Sequence, residues 1–256
     1  MDLSMYNPRI SSQYKSNSQI VRCLSEHWFT REMFCPACSS DNLQAFRNNY
    51  PVADFFCPQC DTEFQLKSQR NRFSKRINDG AYSKMIEAIH HETQPNFFIL
   101  HYNPLDWKIA DLTIIPRFFF TESIIEERKP LSRDAKRAGW IGCNILLSRI
   151  PEDGRIPVVK NSVALDQKEI RSSWKKISFL QEKKSSERSW IIDIISCIKQ
   201  LNKETFTLQE LYTHEKHLQE NHPNNRNIKP KIRQQLQFLR NKGYLEFLER
   251  GVYRLK

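Results

Sequence analysis

The sequence predicts an α/β (α+β) core built on a mixed β-sheet and carrying a four-cysteine metal site, followed by a winged-helix domain. Three observations carry the prediction. Apolar runs between residues 52 and 116 follow the order strand, strand, helix, strand, strand, which suits a mixed sheet packed against helices. Two C-x2-C pairs stand close together near the N-terminus. The C-terminal stretch reads as three helices and a hairpin, the order of a winged helix.

The elements follow from local patterning. Residues 1–34 read as mostly helical, with Ile20, Leu24 and Trp28 on one apolar stripe. Val52–Phe56 and Glu63–Lys67 read as short strands joined by the second cysteine pair. "AYSKMIEAIHH" (81–91) is an amphipathic helix, apolar at Ala81, Met85, Ala88 and Ile89. "NFFILHY" (96–102) and "ADLTIIP" (110–116) read as buried strands. The run "LQEKKSSERS" (180–189) is polar and aperiodic and reads as a linker, dividing a core domain, 1–182, from a winged helix, 183–256. Beyond it, a helix over 189–201 is capped by Ser189. A second helix, over 206–219, starts at Thr207 with Glu210 at capping-box spacing. A third, over 230–243, is closed by Gly243. Residues 244–255 read as strand, turn, strand.

A chain of 256 residues with 39% apolar residues can fill the cores of two domains. It has 6 glycines and no G-x-x-x-x-G-K or G-x-G-x-x-G string, which excludes a glycine-rich nucleotide loop. A net charge of +11 points to a polyanionic partner, because each cation placed near a phosphate releases condensed counterions. No apolar stretch approaches the ~20 residues of a spanning helix, and the N-terminus lacks the apolar segment of a signal peptide. The expectation is a cytoplasmic protein with no membrane partner.

Cys35-Pro-Ala-Cys38 and Cys57-Pro-Gln-Cys60 form a C-x2-C-x18-C-x2-C pattern. Two residues between cysteines let a tight knuckle aim both thiolates at one ion, and two knuckles complete a tetrahedron. Four thiolates leave no open coordination position, so the expected Zn2+ is structural. Cys23, Cys143 and Cys197 read as core thiols, and the histidines, with no ligand spacing, as surface residues.

Around the second knuckle, Glu63, Gln65 and Lys67 share one face of a strand, and Asp54 can face the same side across the hairpin. An aspartate, a second oxygen donor and a lysine converging on one edge suit metal-assisted phosphodiester hydrolysis. Asp54 and Gln65 are the candidate ligands of a divalent ion, and Lys67 the candidate stabiliser of developing charge.

"P-V-A-D" at 51–54 and "Q-L-K" at 65–67 resemble the PD-(D/E)XK motif of restriction-type nucleases. The segments "YKSNSQ" (14–19), "INDGAY" (77–82), "PNFF" (95–98), "RAGWIGCNI" (137–145) and "IRQQLQFLR" (232–240) are similar to the DpnI family of methyl-directed type II restriction endonucleases. The resemblance spans essentially the whole chain. It implies a restriction-endonuclease-like nuclease core followed by a winged-helix DNA-binding domain. It also implies Mg2+-dependent cleavage of double-stranded DNA at GATC carrying 6-methyladenine, by a monomer. Asp54 matches the metal-binding aspartate and Lys67 the catalytic lysine. Gln65 departs from the family glutamate. An amide oxygen can still meet Mg2+, but it brings no charge. Two alternatives follow, a methyl-DNA-binding protein that does not cut and a nuclease of different methyl-site specificity.

On the helix over 230–243, Ile232, Leu236 and Leu239 form the inward stripe. Lys231, Arg233, Gln234, Gln237 and Arg240 are then the candidate DNA-binding residues, since Arg and Gln suit bidentate contacts with guanine and adenine edges. Arg250 and Arg254 of the hairpin could touch phosphate. Residues 183–256 hold 15 Lys and Arg against 8 Asp and Glu, a basic surplus that suits this role. Trp140 is the aromatic best suited to meet a methyl group in the core domain.

Overall fold

The structure is a computed structural model that describes residues 1–256 except Asn48, Asn49, Pro51 and Ser74. In chain order the helices are α1 (Pro8–Ser11), α2 (Asn17–Glu32), α3 (Tyr82–His91), α4 (Gln167–Ile177), α5 (Ser185–Gln200), α6 (Leu208–Tyr212), α7 (Glu215–Asn221) and α8 (Ile228–Asn241). The strands are β1 (Gln44–Ala45), β2 (Phe55–Phe56), β3 (Glu63–Gln69), β4 (Arg76–Ala81), β5 (Asn96–Asn103), β6 (Lys108–Ile115), β7 (Ile125–Glu127), β8 (Gly142–Leu146), β9 (Ile156–Lys160), β10 (Val163–Ala164), β11 (Thr205–Thr207), β12 (Leu245–Glu249) and β13 (Val252–Leu255). No helix among the described residues is long and apolar enough to cross a membrane.

Two compact units emerge. The first gathers residues 1–77, 91–117 and 152–178. Its seven-stranded sheet runs β1-β2-β3-β5-β6-β9-β10. β3 and β5 pair in parallel, and the other neighbours are antiparallel, so the sheet is mixed as expected. β5 is buried on both faces, which explains its unbroken apolar run Phe97–Leu100. α2 seals one face. Its Phe29 ring lies 4.3 Å from Phe55 and 4.7 Å from Phe98, and Phe64 lies 5.3 Å from Phe98. These rings lock β2, β3 and β5 to one helix, and each buried Phe contributes roughly 1.5–3 kcal/mol of transfer free energy.

The expected strand over Val52–Phe56 is shorter in the structure. Val52 has φ +77°, outside the extended region, so β2 begins only at Phe55 and Asp54 sits at its mouth.

The second unit gathers residues 78–90, 118–151 and 179–256. It contains the three-stranded sheet β4-β8-β7 and a second sheet, β11-β13-β12. The expected linker over 180–189 is structured instead. Residues 178–182 form a 3-10 turn in which Phe179 and Leu180 are buried, and α5 already starts at Ser185 after Lys184. Phe179 packs against Phe238 and Tyr244, and Arg188 is buried, so this polar stretch is held by apolar anchors that its composition hides. Ser189 therefore lies inside the helix and does not cap it. The expected second helix divides into α6 and α7, while its capping box is present. The Thr207 side chain accepts from the Glu210 N–H, and Glu210 accepts from the Thr207 N–H at 2.7 Å. Gly243, at φ +74°, closes α8 in the left-handed conformation that favours glycine.

Candidate metal centre, catalytic hairpin and nucleic-acid interface

The four cysteines converge. The Sγ atoms of Cys35 and Cys60 lie 3.6 Å apart and those of Cys38 and Cys57 3.5 Å apart, and all four lie within 4.8 Å of one another. A zinc tetrathiolate with bonds of 2.3 Å needs edges of about 3.8 Å. The constellation therefore fits structural zinc. Local backbone builds each knuckle. The Ser40 N–H points at Cys38 Sγ (3.4 Å), the Cys35 N–H donates to the Ser40 carbonyl, and the Cys57 N–H donates to the Thr62 carbonyl. Burial disfavours the Cys57 thiolate, but N–H groups of Gln59 and Cys60 outweigh it and bring the thiol down to about 7. At Cys35 burial wins and pushes the thiol up. Among the remaining cysteines, Cys143 and Cys197 are core thiols, and Cys23 is half-buried.

Arg171 of α4 braces the first knuckle. Its Nε donates to the Cys35 carbonyl (3.1 Å) and its Nη2 to the Ser40 carbonyl (2.9 Å), and its guanidinium lies 5.1 Å from the Phe34 ring centroid. Nothing in the sequence marks this residue, because its partners are more than a hundred positions away.

The second knuckle is the turn of the hairpin β2–β3, where Phe55 pairs with Phe64 and Phe56 with Glu63. Continuing that register sets Asp54 opposite Gln65, and the Asp54 N–H donates to the Phe64 carbonyl at 2.9 Å. Asp54 Oδ2 accepts from the Leu66 N–H at 2.8 Å. Phe64, on the other side of β3 from Gln65 and Lys67, is fully buried. The structure thus brings Asp54, Gln65 and Lys67 to one stretch of paired backbone, all half-buried. Pro51, the first residue of the motif, lies outside the described residues.

Burial pushes the Asp54 carboxyl above the usual carboxylate range, opposed by the Leu66 N–H and the charges of Lys67 and Arg22. Lys67 Nζ also sits 5.5 Å over the Phe97 ring. Arg22 of α2, bonded to Glu26 at 2.7 Å, was not anticipated from the motif. Only the packing of α2 on the sheet brings its charge near Asp54, so no local pattern could have found it. A carboxylate and an amide oxygen beside a lysine form a hard donor set that fits Mg2+, with one charge fewer than two carboxylates provide.

In the second unit, Ile228, Ile232, Leu236 and Leu239 of α8 face inward. Arg233, Gln234, Gln237 and Arg240 are exposed and Lys231 is half-buried. Arg233 donates to the Tyr212 hydroxyl (2.7 Å), and Lys231 lies 5.8 Å from the Trp190 ring. Lys231 and Gln234 line a cavity of about 370 Å³ with Asn225, Asn227 and Pro230. Arg250 is exposed, whereas Arg254 is engaged by Glu246 on the neighbouring strand. Trp140 is half-buried, capped by the Arg137 guanidinium at 4.7 Å and laid against Gly142, where an added Cβ would fall 2.8 Å from the indole ring.

The expectation that the histidines lie at the surface holds for His27, His90, His91 and His217 and fails for His101, His214 and His222, which are half-buried. Of these, His101 and His222 each pair with an aspartate brought to them by the fold. His101 Nδ1 lies 3.0 Å from Asp111 and His222 Nε2 lies 2.8 Å from Asp193.

Comparison with known families agrees with this architecture. The model of the DpnI, or Dam-replacing, family matches residues 1–183, and the Dam-replacing HTH domain matches residues 186–255. Such a family implies a modification-dependent restriction endonuclease, and its HTH domain indicates DNA binding. A restriction-endonuclease-like α/β core with a mixed sheet and a four-cysteine centre, followed by a helix-turn-helix domain, makes this chain a member of the DpnI, or Dam-replacing, family.

Proposed function

We propose that the protein is a Mg2+-dependent endonuclease that hydrolyses both strands of double-stranded DNA at GATC sites carrying 6-methyladenine. The convergence of Asp54, Gln65 and Lys67 on the β2–β3 hairpin, in a chain of this family, carries the reading. Residues 1–182 form the nuclease domain and 183–256 the winged-helix domain of a monomeric enzyme.

Asp54 and Gln65 would hold Mg2+, and when bound the ion polarises a phosphate and acidifies a coordinated water. The Leu66 N–H fixes one Asp54 oxygen, which leaves the second for a cation. Lys67 and Arg22 favour the ionised carboxylate against its burial. Lys67 also stabilises the negative charge that builds on the phosphate oxygens. Zinc at Cys35, Cys38, Cys57 and Cys60 holds the turn of the same hairpin and touches no substrate. Trp140 offers a flat apolar surface to the adenine methyl. Lys231, Arg233, Gln234, Gln237 and Arg240 present α8 to the major groove.

Plasmid prepared from an adenine-methylating host should be cut to GATC fragments, and plasmid from a non-methylating host left intact. Equal cutting of both, or of neither, overturns the specificity. Asp54→Ala should abolish cutting and leave binding largely unchanged, and a variant that still cuts rejects Asp54 as ligand. The amide at Gln65 favours a second reading, a methyl-DNA-binding protein that does not cut. Retarded methylated duplex with no Mg2+-dependent nicking is its signature.

A further inference from the structure

The sheet face that carries Gln65 and Lys67 continues across the parallel pairing of β3 with β5. Gln65 stands opposite Phe97, Lys67 opposite Ile99 and Gln69 opposite His101. Paired positions project to the same side, so His101 is a diagonal neighbour of Lys67, roughly 7–8 Å away between Cα atoms and within reach of long side chains. His101 is also directly opposite Asp111 on β6. Its Nδ1 meets Asp111 Oδ2 at 3.0 Å, and both side chains are 20% exposed. A register shift falls between His101 and Tyr102, a feature that re-aims side chains next to functional sites.

Asp111 is the hub of a small assembly. Its Oδ1 accepts from the Asn161 N–H at 3.0 Å, and Arg72 Nε, on the segment after β3, lies 3.5 Å from its Oδ2. Burial disfavours the Asp111 carboxylate, but the Asn161 N–H, His101 and Arg72 outweigh it and hold the carboxyl below its ordinary range. With Nδ1 engaged, only Nε2 of His101 can meet a ligand. Asp111 thus fixes the ring so that Nε2 is the nitrogen turned to a ligand. Arg72, 67% exposed, adds a permanent cation beside it.

We propose that His101 and Arg72, positioned by Asp111, bind a backbone phosphate of the DNA strand next to the one that Lys67 contacts. His101 lies two residues further along the sheet than Lys67, about 6.6 Å. That is too far to serve the ion at Asp54 and Gln65, and suits a neighbouring phosphate of the same strand. The inference rests on the proposed catalytic role of Lys67 and extends that face into a phosphate track.

The test uses the full chain and a labelled duplex with one methylated GATC site, without Mg2+, over a series of salt concentrations. His101→Gln, Arg72→Gln and Asp111→Asn should each weaken binding, by roughly three- to tenfold at ~0.15 M salt. For Arg72→Gln, the slope of log affinity against log salt should flatten by about one. With Mg2+ and saturating duplex, single-turnover cleavage should stay near the wild-type rate, so that the loss appears in KM and not in kcat. Unchanged affinity and slope for Arg72→Gln, and unchanged affinity for a folded His101→Gln, overturn the proposal. A fall in melting temperature without loss of affinity overturns it too, by making the pair a purely structural contact. Should His101→Gln fail to fold, Arg72→Gln, at an exposed position, decides alone. Asp54→Ala and Lys67→Ala, run in parallel, separate the two ideas. If both still cut, the catalytic reading fails by itself, while the salt slopes still report the phosphate contact.

Discussion

Replacing Arg171 by Met should loosen the zinc centre from α4. Met keeps much of the apolar stem, so the change isolates the guanidinium. The lost interactions are the bonds to the Cys35 carbonyl at 3.1 Å, to the Ser40 carbonyl at 2.9 Å and to Asp41 at 3.1 Å. The pair with Asp41 contributes little, since that carboxylate is 80% exposed. Bonds from a charged donor contribute about 1.5–3 kcal/mol each. Water can reach the half-buried Ser40 carbonyl, whereas Cys35 is fully buried and its carbonyl would be left without this donor. The expected loss is roughly 2–4 kcal/mol, dominated by that one orphaned group. Denaturant unfolding of the zinc-loaded chain measures it, and release of zinc to a chromogenic chelator, expected to be faster in the variant, locates it. Arg171→Lys should recover only part, because an ammonium lacks the planar fork that spans two carbonyls. A loss under about 0.5 kcal/mol together with unchanged zinc release would refute the reasoning.

Three further outcomes follow from other parts of the molecule. After exhaustive chelation, Mg2+ alone should fail to restore cleavage, and Zn2+ followed by Mg2+ should restore it. Recovery with Mg2+ alone would remove zinc from the hairpin's support. Glu210, bonded by Lys203 and the Thr207 cap, has its carboxyl drawn down to about 2 from an ordinary value near 4.5. Because the folded value is the lower one, its stabilisation is present above about 4.5 and is lost as pH falls toward 2. Melting curves of Glu210→Gln should therefore vary less with pH across that window than those of the parent, and parallel curves would show that the cap contributes nothing. Gly142→Ala should push the indole of Trp140 aside, since the new Cβ would sit 2.8 Å from it. Cleavage of methylated sites should fall by at least about tenfold with little change in melting, and a fully active Gly142→Ala enzyme would contradict the methyl-contact role.

Much of this was readable in sequence because the signals were local. Two residues between cysteines define a knuckle, the run Phe97–Leu100 defines a buried strand, and Thr207 with Glu210 defines a cap before any tertiary contact forms. The same locality exposed Asp54 and Lys67, which flank one turn. What stayed hidden depends on the register of distant strands or on anchors set among polar residues. Asp111 reaches His101 only because β5 and β6 fold back on each other, and Arg171 reaches Cys35 across most of the core sequence. The stretch 180–189 looked like a linker because its holding residues, Phe179, Leu180 and Arg188, are few and irregularly spaced. The early end of β2 is a backbone effect at Val52, a residue whose β-branched side chain gives no hint of a left-handed conformation.

The four sulfurs have a consequence in time as well as in space. The two knuckles, Cys35–Cys38 and Cys57–Cys60, contain no large apolar side chain, so an ion does for them what a core does elsewhere. A newly made chain that has not yet captured zinc would carry every group the chemistry needs and still lack their alignment. For a protein that cuts DNA, this makes metal loading a maturation step. The helix-turn-helix domain, which contains none of the four cysteines, would need no such step, so a fresh chain could hold its target before being able to cut it.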